Sequence, residues 1–463
     1  MTVAEVLIVL SAAVAGVSGL LAAAVRRHVC AFAIGCAVVV GVLVAVVDRF
    51  RFPLAGVAVG LLVAALAAFT LHHRVGRVLA VSGSVFLTAV AALGLWALPR
   101  VTTPETTGPA QVATARFEWT DESRGEPATS NPNDRRTVVV QAWYPADSRP
   151  EDRRALYLGR TSTEAGQTAD GIAATYGVPS LLLHEAAVAR TRAYLDAPPE
   201  RNGQRWPIVL FSPGLAGYRA QNTSWAQELA SHGYFVVAVD HPYDSAAVVL
   251  DDDGVIATNV RTSGDRDADN RVTDHLTDVR AADLSFVLDQ IDAMEGGALR
   301  SPFAGLLDTR SIAAVGHSVG GAAAIQVAQQ DPRVDAIINL DGLPRNVVPQ
   351  RFPQPILAVV AGRGTGNEQS DATYRRTLND LLRNSDGGGL CLTVDGASHL
   401  SFTDAPMILP PLPSLIGSGG RRHGHDITSR ATLIFLDAAL RGNSGDITGP
   451  LSDLGDLHVV CEI

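Results

Sequence analysis

Ser318, Asp341 and His399 are the side chains whose types, order and spacing could do chemistry together. Gly316-His-Ser-Val-Gly320 matches G-x-S-x-G, the pattern of a nucleophilic serine on a sharp turn. The apolar run Ile312 to Val315 before it reads as a short buried strand, and Gly321-Ala-Ala-Ala-Ile-Gln-Val-Ala-Gln-Gln330 after it has the composition of a helix. Such an elbow needs glycine on both sides, here Gly316 and Gly320, because the turn strains the serine backbone and leaves no room for side chains two residues away. The chemistry would be acyl transfer by an activated hydroxyl. All 37 basic residues are arginine. That excludes a Ser–Lys dyad, a Schiff-base lysine and a P-loop lysine, so the base must be a histidine.

In a strand–elbow–helix fold the nucleophile, acid and histidine follow one another in that order at strand ends. The strand Val334 to Leu340 delivers Asp341, and Leu390 to Asp395 is the last core strand, with His399 in the loop behind it. His399 would take the Ser318 proton and return it to the leaving alkoxide, while Asp341 fixes the tautomer and stabilises the imidazolium. The oxyanion would meet the backbone N–H of Val319 and one from the turn after Ser212, at Leu215. Competitors exist for each role. His317 lies within the elbow and reads as a packing residue pointing away from Ser318. His423 and His425 sit in a glycine- and arginine-rich stretch read as a solvated loop. Asp395 or Asp335 could stand in for Asp341.

The elements that must position these groups alternate. Strands are expected at Thr137 to Pro145, Trp206 to Pro213, Tyr234 to Val239 and Pro355 to Val360, with helices around Trp225 to His232 and over Val272 to Met294. Strands alternating with helices in this way give a mostly parallel α/β sheet. Met407 to Ile416, apolar but broken by prolines, cannot be a regular helix or central strand, and reads equally as a lid or lipid-surface segment and as a buried loop. Asp251-Asp-Asp-Gly254 and Asp265 to Asn270 are acidic stretches; the second has alternating carboxylates but lacks the glycine and distal glutamate of a calcium loop, and both read as solvated acidic loops, so neither metal nor cofactor is expected.

The chain is 463 residues long and 47% hydrophobic, too apolar for an ordinary soluble enzyme. The excess is concentrated at the front: Val3 to Val25, Val29 to Val47, Leu54 to Leu71 and Val78 to Leu98 are four apolar runs, each close to the ~20 residues a membrane-crossing helix needs. The domain organisation expected is therefore a transmembrane region over 1–100, a Thr- and Pro-rich linker over 101–115 and a catalytic domain over 116–463. No basic residue precedes the first run, which argues against a cleaved signal peptide. Arg26, Arg27, Arg74 and Arg77 outnumber Arg49, Arg51 and Arg100, so the positive-inside tendency places the globular part outside the cytoplasm, in a multi-pass protein of the cell membrane. That part carries 30 arginines against 45 acidic residues, a balance that argues against nucleic-acid binding. Cys391 and Cys461, its two cysteines, are expected to pair in an oxidising compartment, whereas Cys30 and Cys36 lie within the second run.

The globular part resembles the plasma-type platelet-activating factor acetylhydrolase family and related actinobacterial lipases. The matching stretches are Val140-Gln-Ala-Trp-Tyr-Pro145, Phe211-Ser-Pro-Gly-Leu215, Leu229-Ala-Ser-His-Gly-Tyr234, Leu307-Asp-Thr309, Gly316-His-Ser-Val-Gly-Gly321, Leu340-Asp341 and Ser398-His399. The resemblance implies an α/β-hydrolase fold preceded here by four transmembrane helices, Ser318, Asp341 and His399 as the triad, and Leu215 and Val319 at the oxyanion-hole positions. It implies a cofactor-independent esterase acting on lipid or short-acyl esters. Pro213 replaces the family's histidine in the Ser-His-Gly turn, and the apolar runs are foreign to the plasma enzyme. Two other classes fit the same residues: a membrane sensor or transporter-like protein with a non-catalytic hydrolase-fold domain, and a peptidase or polyester hydrolase on the same triad.

Overall fold

The structure, a computed structural model, describes residues 1–47, 51–149, 151–261, 263, 265–346, 350–362, 368–443 and 445–458. They form two compact units, Met1–Arg100 and Val101–Ile463.

The first unit is a bundle of four helices, α1 (Val3–Ser18), α2 (Ala23–Val47), α3 (Pro53–Phe69) and α4 (Arg74–Ala97). The apolar composition extends further than the helices do. A turn at Gly19 to Leu21 ends α1, and Pro53 and Thr70 bound α3. At ~1.5 Å rise per residue, the 16 residues of α1 and the 17 of α3 fall short of the ~30 Å hydrocarbon thickness. Among the described residues two helices, Ala23–Val44 and Arg74–Ala97, are long and apolar enough to cross a membrane, not the four expected from composition. Small residues let the helices approach closely: Ser84 Oγ donates to the Gly60 carbonyl at 2.7 Å, and a Cβ on Gly56 would lie 3.2 Å from Ala91 Cβ. The Glu5 carboxylate, fully buried and in a capping box with Thr2, pairs with Arg51 at 3.0 Å and Arg100 at 3.5 Å. Cys30 and Cys36 are free thiols. Arg49, counted above for orientation, lies outside the described residues.

The second unit is built on one mixed sheet. In chain order its strands are β1 (Val112–Gly125), β2 (Arg135–Pro145), β3 (Arg154–Leu156), β4 (Arg190–Leu195), β5 (Trp206–Ser212) and β6 (Phe235–Asp240), then β9 (Leu307–His317), β10 (Ala336–Leu340), β11 (Ile356–Ala361), β12 (Gly389–Val394) and β13 (Asp456–His458). Strands β7 (Ala247–Val249) and β8 (Val255–Ala257) make a separate hairpin. The sheet order is β13-β12-β11-β10-β9-β5-β6-β2-β1-β4-β3. The six strands from β6 to β12 are parallel and buried on both faces, which is why they read as unbroken apolar runs rather than alternating ones. Antiparallel β2 and β13 close the two sides of that parallel block.

The connecting helices are α5 (Ser162–Tyr176), α6 (His184–Val188), α7 (Thr223–Ser231), α8 (Arg266–Glu295), α9 (Val319–Gln330), α10 (Glu368–Arg383), α11 (Ala405–Ile408), α12 (Pro413–Ile416), α13 (His423–Arg441) and α14 (Thr448–Ser452). Two apolar layers, one on each sheet face, pack Ile208 and Leu210 against α8 and α9 on one side, and Val209 and Phe211 against α7 and α13 on the other. Residues 101–111 hold no regular element but are fastened to α7, with Thr107 N–H donating to Glu228 at 2.9 Å and Ala110 N–H to the Ser231 carbonyl at 3.0 Å. The acidic stretches have structural work. Asp265 caps α8 by accepting from Ala268 N–H at 2.9 Å, and Asp252 closes the β7–β8 turn by accepting from Gly254 N–H at 2.9 Å. Buried Cys391 is disulfide-bonded. Cys461, its expected partner, lies outside the described residues.

Candidate active site

Ser318 joins β9 to α9 with φ 57° and ψ −121°, a conformation that side-chain-bearing residues avoid. It is held there from both sides: its N–H donates to the Leu340 carbonyl and its own carbonyl accepts from Gly321 N–H, each at 2.9 Å. The flanking glycines are required by backbone contact. A Cβ on Gly316 would stand 2.0 Å from the Gly320 carbonyl oxygen, and one on Gly320 would stand 2.0 Å from the Ser212 carbonyl oxygen.

Asp341 follows β10 at φ 54°. Its Oδ1 accepts from Ala361 N–H at 3.0 Å and its Oδ2 from His399 Nδ1 at 2.7 Å. With its proton on Nδ1, His399 has Nε2 free as an acceptor. The His399 side chain is 47% exposed and Asp341 13%. The loop carrying His399 is tied down through Ser398 Oγ to the Leu415 carbonyl at 2.7 Å and Ser401 Oγ to the Ile416 carbonyl at 2.9 Å. Ser318, His399, Gly214 and Leu215 line one cavity of about 460 Å³. Val319 is the first residue of α9, where backbone N–H groups have no partner within the helix.

The competitors are placed elsewhere. Asp335 lies just before β10, accepting from Ile312 N–H at 2.8 Å, and Asp395 is exposed while its carbonyl accepts from the His423 ring at 2.9 Å. His423 and His425 are not in a solvated loop: they open α13, where a Cβ on Gly424 would stand 2.1 Å from the Ser401 carbonyl oxygen. That glycine serves close helix packing, which composition cannot distinguish from a loop. The proline-broken stretch forms the single turns α11 and α12, with Ile408 and Leu409 in the cavity wall.

His317 differs from its expected packing role. Its ring lines the same cavity, 4.5 Å from the His399 ring between centroids. Nε2 donates to the His399 carbonyl at 2.9 Å, so Nδ1 is the acceptor for Gln221 Nε2 at 3.1 Å. Gln221 Oε1 in turn accepts from Gly214 N–H at 3.1 Å. Burial first, and then the neighbouring His399, hold His317 down to about 3, so it stays neutral. Sequence reasoning missed Gln221 because nothing in its local pattern marks it.

The turn after β5 is braced from below by Arg280 of α8, which is fully buried. Its guanidinium donates to Asp244 at 2.5 and 2.8 Å, to the Gly214 carbonyl at 3.0 Å and to the Pro213 carbonyl. Asp244 also accepts from Ala216 N–H at 3.3 Å. Burial alone would push the Asp244 carboxyl up, but Arg280 holds it below its ordinary value. Beneath the turn lies a second Ser–His–Asp array: Ser212 Oγ meets His241 Nε2 at 3.0 Å, and His241 Nδ1 meets Asp283 at 2.8 Å. All three residues are 0% exposed. The array therefore ties β5 and the residue after β6 to α8, and burial holds the His241 pKa down.

Comparison with known proteins agrees with this architecture. A sequence profile described as platelet-activating factor acetylhydrolase, isoform II, matches residues 96–444. The chain is 28% identical over 356 residues to a "Probable 1-alkyl-2-acetylglycerophosphocholine esterase" of Arthroderma benhamiae, covering 72% of this chain and 81% of the relative. It is 26% identical to the platelet-activating factor acetylhydrolase of Canis lupus familiaris, covering 52% of this chain and 59% of that one. Among solved structures it is similar to a ferulic acid esterase from Streptomyces cinnamoneus, with TM-score 0.60, 28% identity, and 74% of this chain and 94% of the other covered. With a strained serine elbow on a mixed α/β sheet and a profile match that takes in every strand of that sheet except β13, the chain belongs to the platelet-activating factor acetylhydrolase, isoform II, family of carboxylic-ester hydrolases.

Proposed function

We propose that this chain is a membrane-anchored serine esterase that cleaves lipid or other carboxylic esters through an acyl-Ser318 intermediate. The observation that carries the reading is the 2.7 Å bond from His399 Nδ1 to Asp341, beside the cavity that Ser318 also lines. Ser318 Oγ attacks the ester carbonyl carbon as His399 Nε2 takes its proton. The oxyanion is met by the N–H groups of Val319 and Leu215. Collapse breaks the C–O bond, and the departing alkoxide takes the proton from His399. Water then attacks the acyl-serine with His399 again as base, releasing the carboxylic acid and restoring the Ser318 hydroxyl. Ser318→Ala is expected to abolish p-nitrophenyl acetate hydrolysis with the melting temperature retained; an active variant would overturn the assignment.

The anchor is the four-helix unit, with the short α1 and α3 completing a bundle around the two longer helices. Its outer faces support this: among the described residues, all but six of the large apolar side chains that stand exposed lie before Arg100. The disulfide-bonded Cys391 favours an extracytoplasmic catalytic unit. Resistance to carbonate extraction, together with protease access to the hydrolase unit in intact cells, is expected. Protection of that unit until the cells are lysed would reverse the orientation.

A further inference from the structure

Resting on that reading of Ser318, we infer that the cavity beside it takes a neutral apolar limb much longer than acetyl, of medium-chain alkyl or aryl-alkyl type. Its 460 Å³ is space on the order of fifteen waters at ~30 Å³ each, where the methyl of an acetyl group displaces about one. Among the described residues that line it there is no Arg, Asp or Glu. A phosphodiester or quaternary ammonium would be stripped of water there with no counter-ion, which is costly, so a charged head must stay at the mouth. Away from Ser318 and the two histidines, its largest aliphatic contributors are Ile172, Val178, Leu183, Leu400, Ile408 and Leu409, with Gln221, Thr403 and two tyrosines as the uncharged polar groups.

The walls are built to stay open rather than to collapse. On one side α5 is pressed against the β7–β8 hairpin through Gly171, where a Cβ would stand 2.3 Å from Ala247 Cβ. On the other, Arg421 Nη1 donates to the carbonyls of Pro406 at 2.6 Å and Leu409 at 2.7 Å, fixing the segment that carries Ile408. A preformed apolar space can be used in the transition state only by a substrate limb that fills it. Each methylene so buried is worth ~0.8 kcal/mol, about fourfold in kcat/KM.

The test uses the full-length protein in washed membranes, with Ser318→Ala membranes as the blank. Two series are measured: p-nitrophenyl esters from acetate to decanoate, and acetate esters of alcohols of the same lengths. Expected is a rise of about fourfold per methylene in one series until the cavity is full. Val178→Trp, at a site 39% exposed and so tolerant of bulk, is expected to cut the octanoyl-to-acetyl (or octyl-to-methyl) ratio at least tenfold. Bilayer partitioning acts equally on both proteins, so this ratio isolates the cavity. Fluorophosphonate labelling of Ser318 checks that the variant is folded, and Ile408→Trp serves if it is not. A profile that is flat or falls from acetyl in both series, or a slope unmoved by the tryptophan variants, overturns the inference while leaving the esterase reading intact. Loss of all Ser318-dependent turnover would overturn that reading instead.

Discussion

Gln221 and His317 are joined by a 3.1 Å hydrogen bond that connects the two halves of the candidate site. Through it the Gly214 N–H at the turn after β5 is linked to the His399 carbonyl, in three bonds of 2.9 to 3.1 Å. Gln221 and His317 touch no proposed reacting atom, so they act by position. Gln221→Ala is expected to lower kcat roughly tenfold, about 1.4 kcal/mol, with KM within about twofold. Gln221→Glu keeps the acceptor for Gly214 but loses the donor to His317, and should fall between. Steady-state kinetics that find kcat unchanged in the alanine variant would show the chain of bonds to be dispensable.

Asp341→Asn preserves shape but no longer holds the His399 proton on Nδ1. A drop in kcat of about 10³- to 10⁴-fold is expected, with little change in the denaturation midpoint, since the amide oxygen can still accept from Ala361 N–H. An activity loss below about tenfold would point to another acid.

Two buried groups should give opposite pH dependences of stability. His317, held down to about 3, binds its proton in the unfolded chain first, so its contribution is complete above the ordinary histidine value near ~6.5 and is lost as pH falls toward 3. Asp404, pushed by burial up to about 7, binds its proton in the folded chain first; its contribution is complete below the ordinary value near ~3.8 and is lost as pH rises through 7. Relative to wild type, His317→Asn should therefore gain roughly 3 kcal/mol between pH 7.5 and 4.5. Asp404→Asn should gain roughly 4 kcal/mol between pH 4 and 8. Urea denaturation across that range measures both, and parallel wild-type and variant curves would exclude the linkage.

Arg280→Ala would leave the Asp244 carboxylate buried without its cation and free the Pro213 and Gly214 carbonyls. A loss of about 3 to 5 kcal/mol is expected, read from urea midpoints, with catalysis falling in the fraction that remains folded.

Glycines of equal sequence rank should part company. Gly316→Ala is expected to give no soluble folded protein, because its Cβ would overlap the Gly320 carbonyl oxygen at 2.0 Å. Gly166→Ala, in α5 with nothing within 4 Å of the new Cβ, should raise stability by about 0.5 to 1 kcal/mol. Thermal melts of the two variants check the contrast.

The elbow was legible because it is local. A glycine two residues before and two after the serine, an apolar run and a small-residue helix all lie within twenty residues of chain. The core strands were legible for a similar reason, since burial on both faces leaves unbroken apolar runs at Trp206–Ser212 and Ile356–Ala361. The insertion from β3 to β4 was not, because α5, though 15 residues long, is mostly Ala, Gly, Ser and Thr and carries no stripe of large apolar residues to mark its period, yet it walls the cavity.

By itself the sequence determined the order Ser318, Asp341, His399, the absence of a lysine base and the apolar character of the first hundred residues, all properties of residue type and spacing. Tertiary structure decided that Asp341, and neither Asp335 nor Asp395, reaches His399; that His317 faces the cavity; that Ser212, His241 and Asp283 are sealed from it; and where α1 and α3 stop. The reason is common to these cases. Which of several like side chains meets a partner, and whether water or substrate can reach it, depends on strand register and burial between segments far apart in the chain.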